Sequence, residues 1–502
     1  MQRDFPSTKR RLYALLGALL LLMSFGLQGV RDLWEPDETR YTVVAMNMLD
    51  SGDFAIPRVH PEQPHYTKPP LTYWSIAASL EWLGRNQFAA RLPSALAFLF
   101  TVLLVHSLGR QFVPGRPWLP ALIFGTMLVP GIAANFVSTD MLLTAWETLA
   151  LAAFCRAMWG IEGQQRRFVY LMWLAFAMAF LTKGPPGLLP LLAILAWRYW
   201  RPVVSHPPPL LWLRGLLIVL LLGGSWYLYL GFTQPGLLRQ LFMDEVIART
   251  VTGQARRHAE WYGAFAIYLP VLLFGTLPWT WPMGQALLRA WRHRKSAPPA
   301  ADGGRQRFLL LWLLLPLLIF FLTRSRLPLY ILPLFVPLAL LAARELEDRQ
   351  FRFGAGRWLL LALWCAAALS FRYLPVPISE ELHMRQPRDL AGQLHALCPR
   401  AVDEVAFVHT RAILGVEFYA SELAEALRME EVPEELAEHE SRLWLVEPED
   451  EDAFLQVLRE QGVSLPYLGA VDIGRTYHVY RGRELENCDS GADGSSPTAR
   501  EN

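Results

Sequence analysis

The stretch RLYALLGALLLLMSFGLQGVRDLWEPDETRYTVVAMNMLD, Arg11 to Asp50, decides the class of fold. An apolar run long enough to cross a bilayer as a helix follows Lys9, Arg10 and Arg11, and three carboxylates, Glu35, Asp37 and Glu38, come soon after it. No small-x-small cleavage site stands clear before Arg31, so the run is expected to be a retained anchor rather than a removed leader. Beyond the carboxylates, Tyr41, Val44, Ala45, Met48 and Leu49 recur with helical spacing up to Gly52, which predicts an amphipathic helix lying on the membrane surface with Gly52 as its C-cap.

Outward from this stretch the same grammar repeats. Of the 502 residues 53% are hydrophobic and 18% charged, and the apolar ones fall into blocks near 12–30, 91–109, 117–134, 140–158, 168–182, 185–200, 210–230, 263–282, 308–323, 327–343 and 357–374. The expected fold is a polytopic α-helical membrane protein of about 11 to 13 spans, with amphipathic juxtamembrane helices and a small C-terminal α/β domain. The organisation expected is a membrane domain over 1–374 with outer loops at 31–90 and 231–262, a soluble domain over 375–485 and a disordered tail over 486–502.

Every second short connection is rich in Lys and Arg, which places the N-terminus in the cytoplasm and the soluble domain outside. The net charge of +2 hides a strong local imbalance, because Glu417 to Glu460 carries fifteen Asp or Glu against three Arg. That argues against a nucleic-acid partner and for lipids, sugars or peptides. In the soluble part, EVAFVH, SRLWLVE and YHVYRGR read as strands and PRDLAGQLHAL and EDEDAFLQVLREQ as helices. Its acidic helices read as solvated faces. Cys398 and Cys488 lie in this exported part, where pairing is chemically allowed but not fixed by sequence.

The informative residues are in the outer loops. Asp37 and Glu38, behind Pro36, suit the positive end of a helix dipole and equally suit general-base chemistry. Lys68, before Pro69 and Pro70, begins a second expected surface helix; a cation beside unpaired backbone N–H groups suits a phosphate, and a snorkelling lysine explains it as well. Arg324 and Arg326 in FLTRSRLPLYILPLF, and Asp244, Glu245, Arg249, Arg256, Arg257 and His258 in the second outer loop, map to the same side. Cations there break the positive-inside trend and suggest an anionic ligand. Asp140 stands at the outer start of a span, where it reads as an N-cap, and Glu147, two turns deeper, is expected to face the bundle interior. Lys183 before Gly184 reads as a helix terminus, and His60 and His65 around Glu62 lack a zinc spacing.

Taken in order, WEPDETRY, TKPPLTYW, STDMLLT, FLTKGPPG and RSRLPLYILPLFVPLALL resemble the bacterial aminoarabinose transferases that modify lipid A and, more broadly, the GT-C glycosyltransferases that include protein O-mannosyltransferases. The resemblance covers about residues 10 to 345. It implies an enzyme of the bacterial inner membrane that moves a sugar from an undecaprenyl-phosphate carrier to a lipid A-like, glycan or protein acceptor on the periplasmic side. It also implies that the family's acidic motif falls on Asp37 and Glu38, with Asp37 as general base and Asp140 a further candidate in the catalytic set. Lys68, Arg249, Arg324, Arg326 and Tyr330 are then the candidates for the donor phosphate.

A hydroxyl attacking an anomeric carbon needs a base on one face, and the departing phosphate needs cations on the other, so the transfer is expected to invert. The family carries a Glu before the loop lysine and a His in the second outer loop as metal ligands, where this chain has Thr67 and Val246. No obligatory metal is therefore expected. The alternative class is a transporter of lipid-linked sugars or other lipids, which explains many spans but not an acidic helix start accompanied by outward cations.

Overall fold

The computed structural model describes residues 7–199, 207–237, 260–292, 304–370, 387–399 and 404–485, apart from short interruptions, together with Cys488. The chain divides into two compact units, Met1–Arg31 with Ala45–Leu374, and Asp32–Val44 with Pro375–Asn502.

The first unit is helical, and helix occupies part of each of the eleven apolar segments. Among the described residues, four helices are long and apolar enough to cross a membrane, or six if two bent pairs count as one span each. About 11 to 13 spans were expected; several of the other apolar segments carry helices that are shorter or interrupted. Met127 is extended between Leu119–Thr126 and Leu128–Ala134. Trp212–Gly223 includes a π turn and meets Ser225–Thr233 at 57°, while Gly263–Gly275 and Thr280–Arg292 meet at 114°. In that last corner the Thr276 and Thr280 hydroxyls donate to the Leu272 and Leu273 carbonyls, satisfying groups that a continuing helix would have bonded.

Two long helices, Thr139–Trp159 and Gln165–Lys183, pack against each other at the centre of this unit. Glycines let further elements approach them. A Cβ on Gly187 would lie 2.6 Å from the Ala179 backbone, and one on Gly215 would lie 2.0 Å from the Trp173 ring. The first outer loop adds a short antiparallel pair, β1 (Arg58–His60) and β2 (Gln63–Pro64), and the helix Leu71–Leu83.

The helix Asp37–Ser51 ends at Gly52 (φ 70°) as its sequence predicts, but it is not a one-sided surface helix. Thr39, Thr42, Val43 and Met46 are buried along with Tyr41, Val44, Ala45 and Met48, because small and apolar residues occupy both sides of it. The helix Leu71–Leu83 likewise buries Tyr73, Ile76, Ala77 and Leu80 rather than lying free on a surface.

The second unit carries a five-stranded mixed sheet in the order β4-β3-β5-β7-β6. Strands β3 (Glu404–Val408), β4 (Leu423–Leu427) and β5 (Arg442–Val446) are parallel; β6 (Tyr467–Asp472) and β7 (Thr476–Arg481) close it antiparallel. Strand β5 is buried along its whole length, as expected for a strand covered on both faces. Arg442 at its start forms ion pairs with Glu404, Glu425 and Glu435 at 2.6, 3.3 and 3.0 Å, so some of the acidic residues are tied to the core rather than solvated. Cys398 and Cys488 are buried and disulfide-bonded.

Candidate active site

In the second unit, the acidic start of the helix Asp37–Ser51 is built from three carboxylates in three different settings. Glu38 is fully buried, and its Oε2 accepts the Trp34 N–H at 3.0 Å while its own N–H donates to the Trp34 carbonyl, a reciprocal lock on the helix start. Asp37 is 39% exposed at its side chain and meets Arg40 at 2.5 Å, one turn on. It is the accessible carboxylate of the three, and it stands at the positive end of the helix dipole. Glu35 accepts the Gly415 N–H at 2.6 Å and the Thr39 hydroxyl at 2.7 Å, and burial pushes its carboxyl up to about 7 despite those bonds and the nearby Arg40.

In the first unit, the helix pair Thr139–Trp159 and Gln165–Lys183 brings together a second cluster. The N-cap is Ser138, whose hydroxyl accepts the Asp140 N–H at 3.2 Å, and not Asp140 as the sequence suggested. The Asp140 carboxylate is therefore available for another partner, and it takes the Lys183 ammonium. Lys183 is far more than a helix terminus: its Nζ stands 4.5 Å from the centre of the Tyr330 ring, within cation–π range. Glu147 faces the interior as expected, 4% exposed, with Lys183 and Asp140 as the charges acting on it.

The remaining candidates differ in character. Arg326 is buried and donates to the Glu260 and Phe321 carbonyls at 3.0 and 3.3 Å. Arg324 is exposed and Lys68 half-buried. Arg249, with the rest of 238–259, lies outside the described residues. Sequence reasoning took Lys183 for a helix terminus and passed over the bonding of Glu35. The signal for Lys183 was present, since an ionisable residue where spans meet usually has a partner, but nothing in sequence says that Asp140 is that partner.

The Thr67 hydroxyl is 2.7 Å from His65 Nε2, and among the described residues no three His, Cys, Asp or Glu side chains converge.

With this geometry, comparison with known proteins is informative. The family model for dolichyl-phosphate-mannose-protein mannosyltransferases matches residues 67–227. The crystal structure of ArnT from Cupriavidus metallidurans bound to undecaprenyl phosphate superposes with a TM-score of 0.73 at 19% identity, covering 95% of this chain and 99% of that one. The architecture is thus the multispan membrane fold of the GT-C glycosyltransferases. An undecaprenyl phosphate-α-4-amino-4-deoxy-L-arabinose arabinosyl transferase of Pseudomonas aeruginosa (strain LESB58) is 34% identical over 386 residues, 72% of this chain. A second, from Pseudomonas fluorescens (strain Pf0-1), is 33% identical over 386 residues, covering 74% of this chain and 67% of its own length. The chain belongs to the family of these arabinosyl transferases. It spans 66% of the length of the Pseudomonas aeruginosa relative.

Proposed function

We propose that the protein is an inner-membrane glycosyltransferase that moves a sugar from an undecaprenyl-phosphate carrier to a lipid A-like, glycan or protein acceptor on the periplasmic side, inverting the anomeric centre. The observation that supports this most, given the family, is the setting of Asp37: an accessible carboxylate on a helix start locked by Glu38. In this reading Asp37 takes the proton from the acceptor oxygen as that oxygen bonds the anomeric carbon, and the bond from that carbon to the carrier phosphate breaks with the electron pair leaving on phosphate.

Lys68, Arg249 and Arg324 bring cationic charge to the departing phosphate, and Arg326 and Tyr330 line its approach. Asp140 acts at one remove, by holding Lys183 against the Tyr330 ring. The accompanying topology is about 11 to 13 spans with a cytoplasmic N-terminus, a membrane domain over 1–374 and a periplasmic α/β domain over 375–485, and no metal is obligatory for the chemistry.

The test is transfer by the purified chain in nanodiscs, with the anomeric configuration of donor and product read by NMR in the presence and absence of a chelator. Release of undecaprenyl phosphate with inverted product, indifferent to the chelator, is expected. Retained configuration would remove Asp37 as a base in a direct displacement, and a carrier that crosses the membrane with its sugar still attached would favour transport.

A further inference from the structure

The helix Gln165–Lys183 has 19 residues and so measures about 28 Å, close to the thickness of the hydrocarbon core of a bilayer. Lys183 of the candidate site stands at one end of it. At the other end, in the same unit, an open recess of about 670 Å³ lies between the start of this helix and the helix Trp212–Ile218. The proposed reaction does not use it. The two elements are locked together beside the recess, because Gly215 admits the Trp173 ring and the Leu210 carbonyl accepts the Trp173 Nε1 hydrogen at 2.7 Å. Leu211, which lines the recess, turns the chain with a left-handed backbone (φ 52°) that a leucine adopts only where its surroundings enforce it.

Two guanidiniums, Arg166 and Arg214, line the recess, and among the described residues no carboxylate does. Arg214 Nη1 donates to the Tyr170 hydroxyl at 3.0 Å, and the Arg166 guanidinium stands 5.8 Å from the centre of the same ring. Both arginines are exposed, and neither forms an ion pair among the described residues. Two like charges gathered on one phenol, without a counter-charge, favour an anion between them. From the recess, Leu213, Leu216, Leu217 and Leu220 follow at helical spacing and are all exposed, so an apolar stripe starts where the cations stand. Trp212 Nε1 donates to the Tyr199 hydroxyl at 2.9 Å; paired aromatics of this kind sit at the level of lipid headgroups.

We infer that this recess binds an acidic glycerophospholipid, with Arg166 and Arg214 on its phosphate and its acyl chains along the leucine stripe. The stripe selects a lipid over a soluble phosphate, because a ligand without acyl chains leaves it uncovered. The missing carboxylate selects an anionic headgroup over a zwitterionic one, whose ammonium finds no partner there and is repelled by the arginines. Arg166, Arg167, Arg198 and Arg214 make this the basic end of the helices, which assigns the lipid to the cytoplasmic leaflet. That assignment rests on the proposed orientation; the site itself rests on the packing of two helices and is independent of the transfer reaction.

The test uses the full chain, purified in detergent and stripped of lipid. Native mass spectrometry measures its affinity for phosphatidylglycerol beside phosphatidylethanolamine with the same acyl chains and glycerol 3-phosphate, which has none. Wild type should bind phosphatidylglycerol at least about tenfold more tightly than either. Arg166→Ala should weaken that binding several-fold and the double variant Arg166→Ala, Arg214→Ala by about tenfold or more. Arg167→Ala, next in sequence but outside the recess, should bind like wild type.

Wild-type affinity for phosphatidylglycerol in the double variant would overturn the site. An equal loss in Arg167→Ala would overturn it too, since surface charge in general would then attract the lipid. Phosphatidylethanolamine bound as tightly as phosphatidylglycerol would overturn the acidic headgroup, and glycerol 3-phosphate bound as tightly would overturn the lipid.

Discussion

At the scale of single residues, three neighbouring carboxylates have been given different work by their surroundings. Glu38 is a structural lock, Asp37 is accessible, and Glu35 is packed on the Gly415 amide with its carboxyl raised to about 7. The Glu35 shift has a definite sign in stability. A raised carboxyl means that the folded state holds a proton which the unfolded state releases near the ordinary value of 4.5, so stability is full below about 4.5 and declines as pH rises to about 7. The loss is at most about 3 kcal/mol. Burial also raises Glu417, Glu422 and Glu425 of the same unit, so Glu35→Gln should reduce, without abolishing, the pH dependence of thermal unfolding of the soluble unit between pH 5 and 7 and raise its stability at pH 8; an unchanged profile would mean that Glu35 titrates normally. The Asp140–Lys183 pair makes the opposite case, because both partners are largely buried at 11% and 8% exposure. Asp140→Asn should lower stability by about 3–5 kcal/mol by leaving Lys183 uncompensated, and adding Lys183→Met should recover much of it, as read from melting temperatures in detergent.

At the scale of elements, the helices of the membrane unit come together through glycines. Gly215 is the clearest, since the Trp173 ring occupies the place of its missing side chain and Trp173 Nε1 donates to the Leu210 carbonyl at 2.7 Å. Gly215→Ala should cost roughly 1–3 kcal/mol through overpacking. Gly284→Ala, whose added carbon meets nothing within 4 Å, should leave stability unchanged or raise it slightly. Equal effects of the two would show that the close approach at Gly215 is not formed.

The same scale shows what a sequence conveys. The helix Pro387–Leu397 and strands β3, β5 and β7 were legible because their apolar periods are unbroken. Strand β4, LAEAL, was not, because its residues favour helix and only pairing with β3 makes it extended. Strand β6 was hidden by Gly469 and an irregular register beside it. Breaks in the spans were hidden for a related reason: hydropathy sums over a window and does not see where a turn of backbone bonds is lost.

At the scale of the whole molecule, the disulfide from Cys398 to Cys488 closes a segment of 90 residues and so constrains most of the unfolded soluble part. On the chain-entropy account it contributes about 4–5 kcal/mol, and Cys398→Ser should lower the unfolding midpoint of that unit by a corresponding amount. A midpoint equal to wild type would mean that the bond does not form in the native protein.

The candidate site was legible in part for the same reason. Asp37, Glu38 and Asp140 stand out as acidic residues near membrane-crossing segments, but the partners that distinguish their roles, Trp34, Arg40 and Lys183, are fixed only by folding.

The central claim is that Asp37 serves the attacking oxygen while Lys68 and Arg324 serve the departing phosphate, and one paired measurement tests it. Single-turnover sugar transfer and undecaprenyl phosphate affinity are measured on purified Asp37→Asn, Lys68→Ala and Arg324→Ala in nanodiscs. Asp37→Asn should bind the carrier like wild type and transfer at least about a hundredfold more slowly, whereas the two cation variants should lose both affinity and rate, since phosphate charge is present in the ground state and grows as it leaves. Near-normal transfer by Asp37→Asn, or loss of carrier binding in that variant alone, would contradict the account.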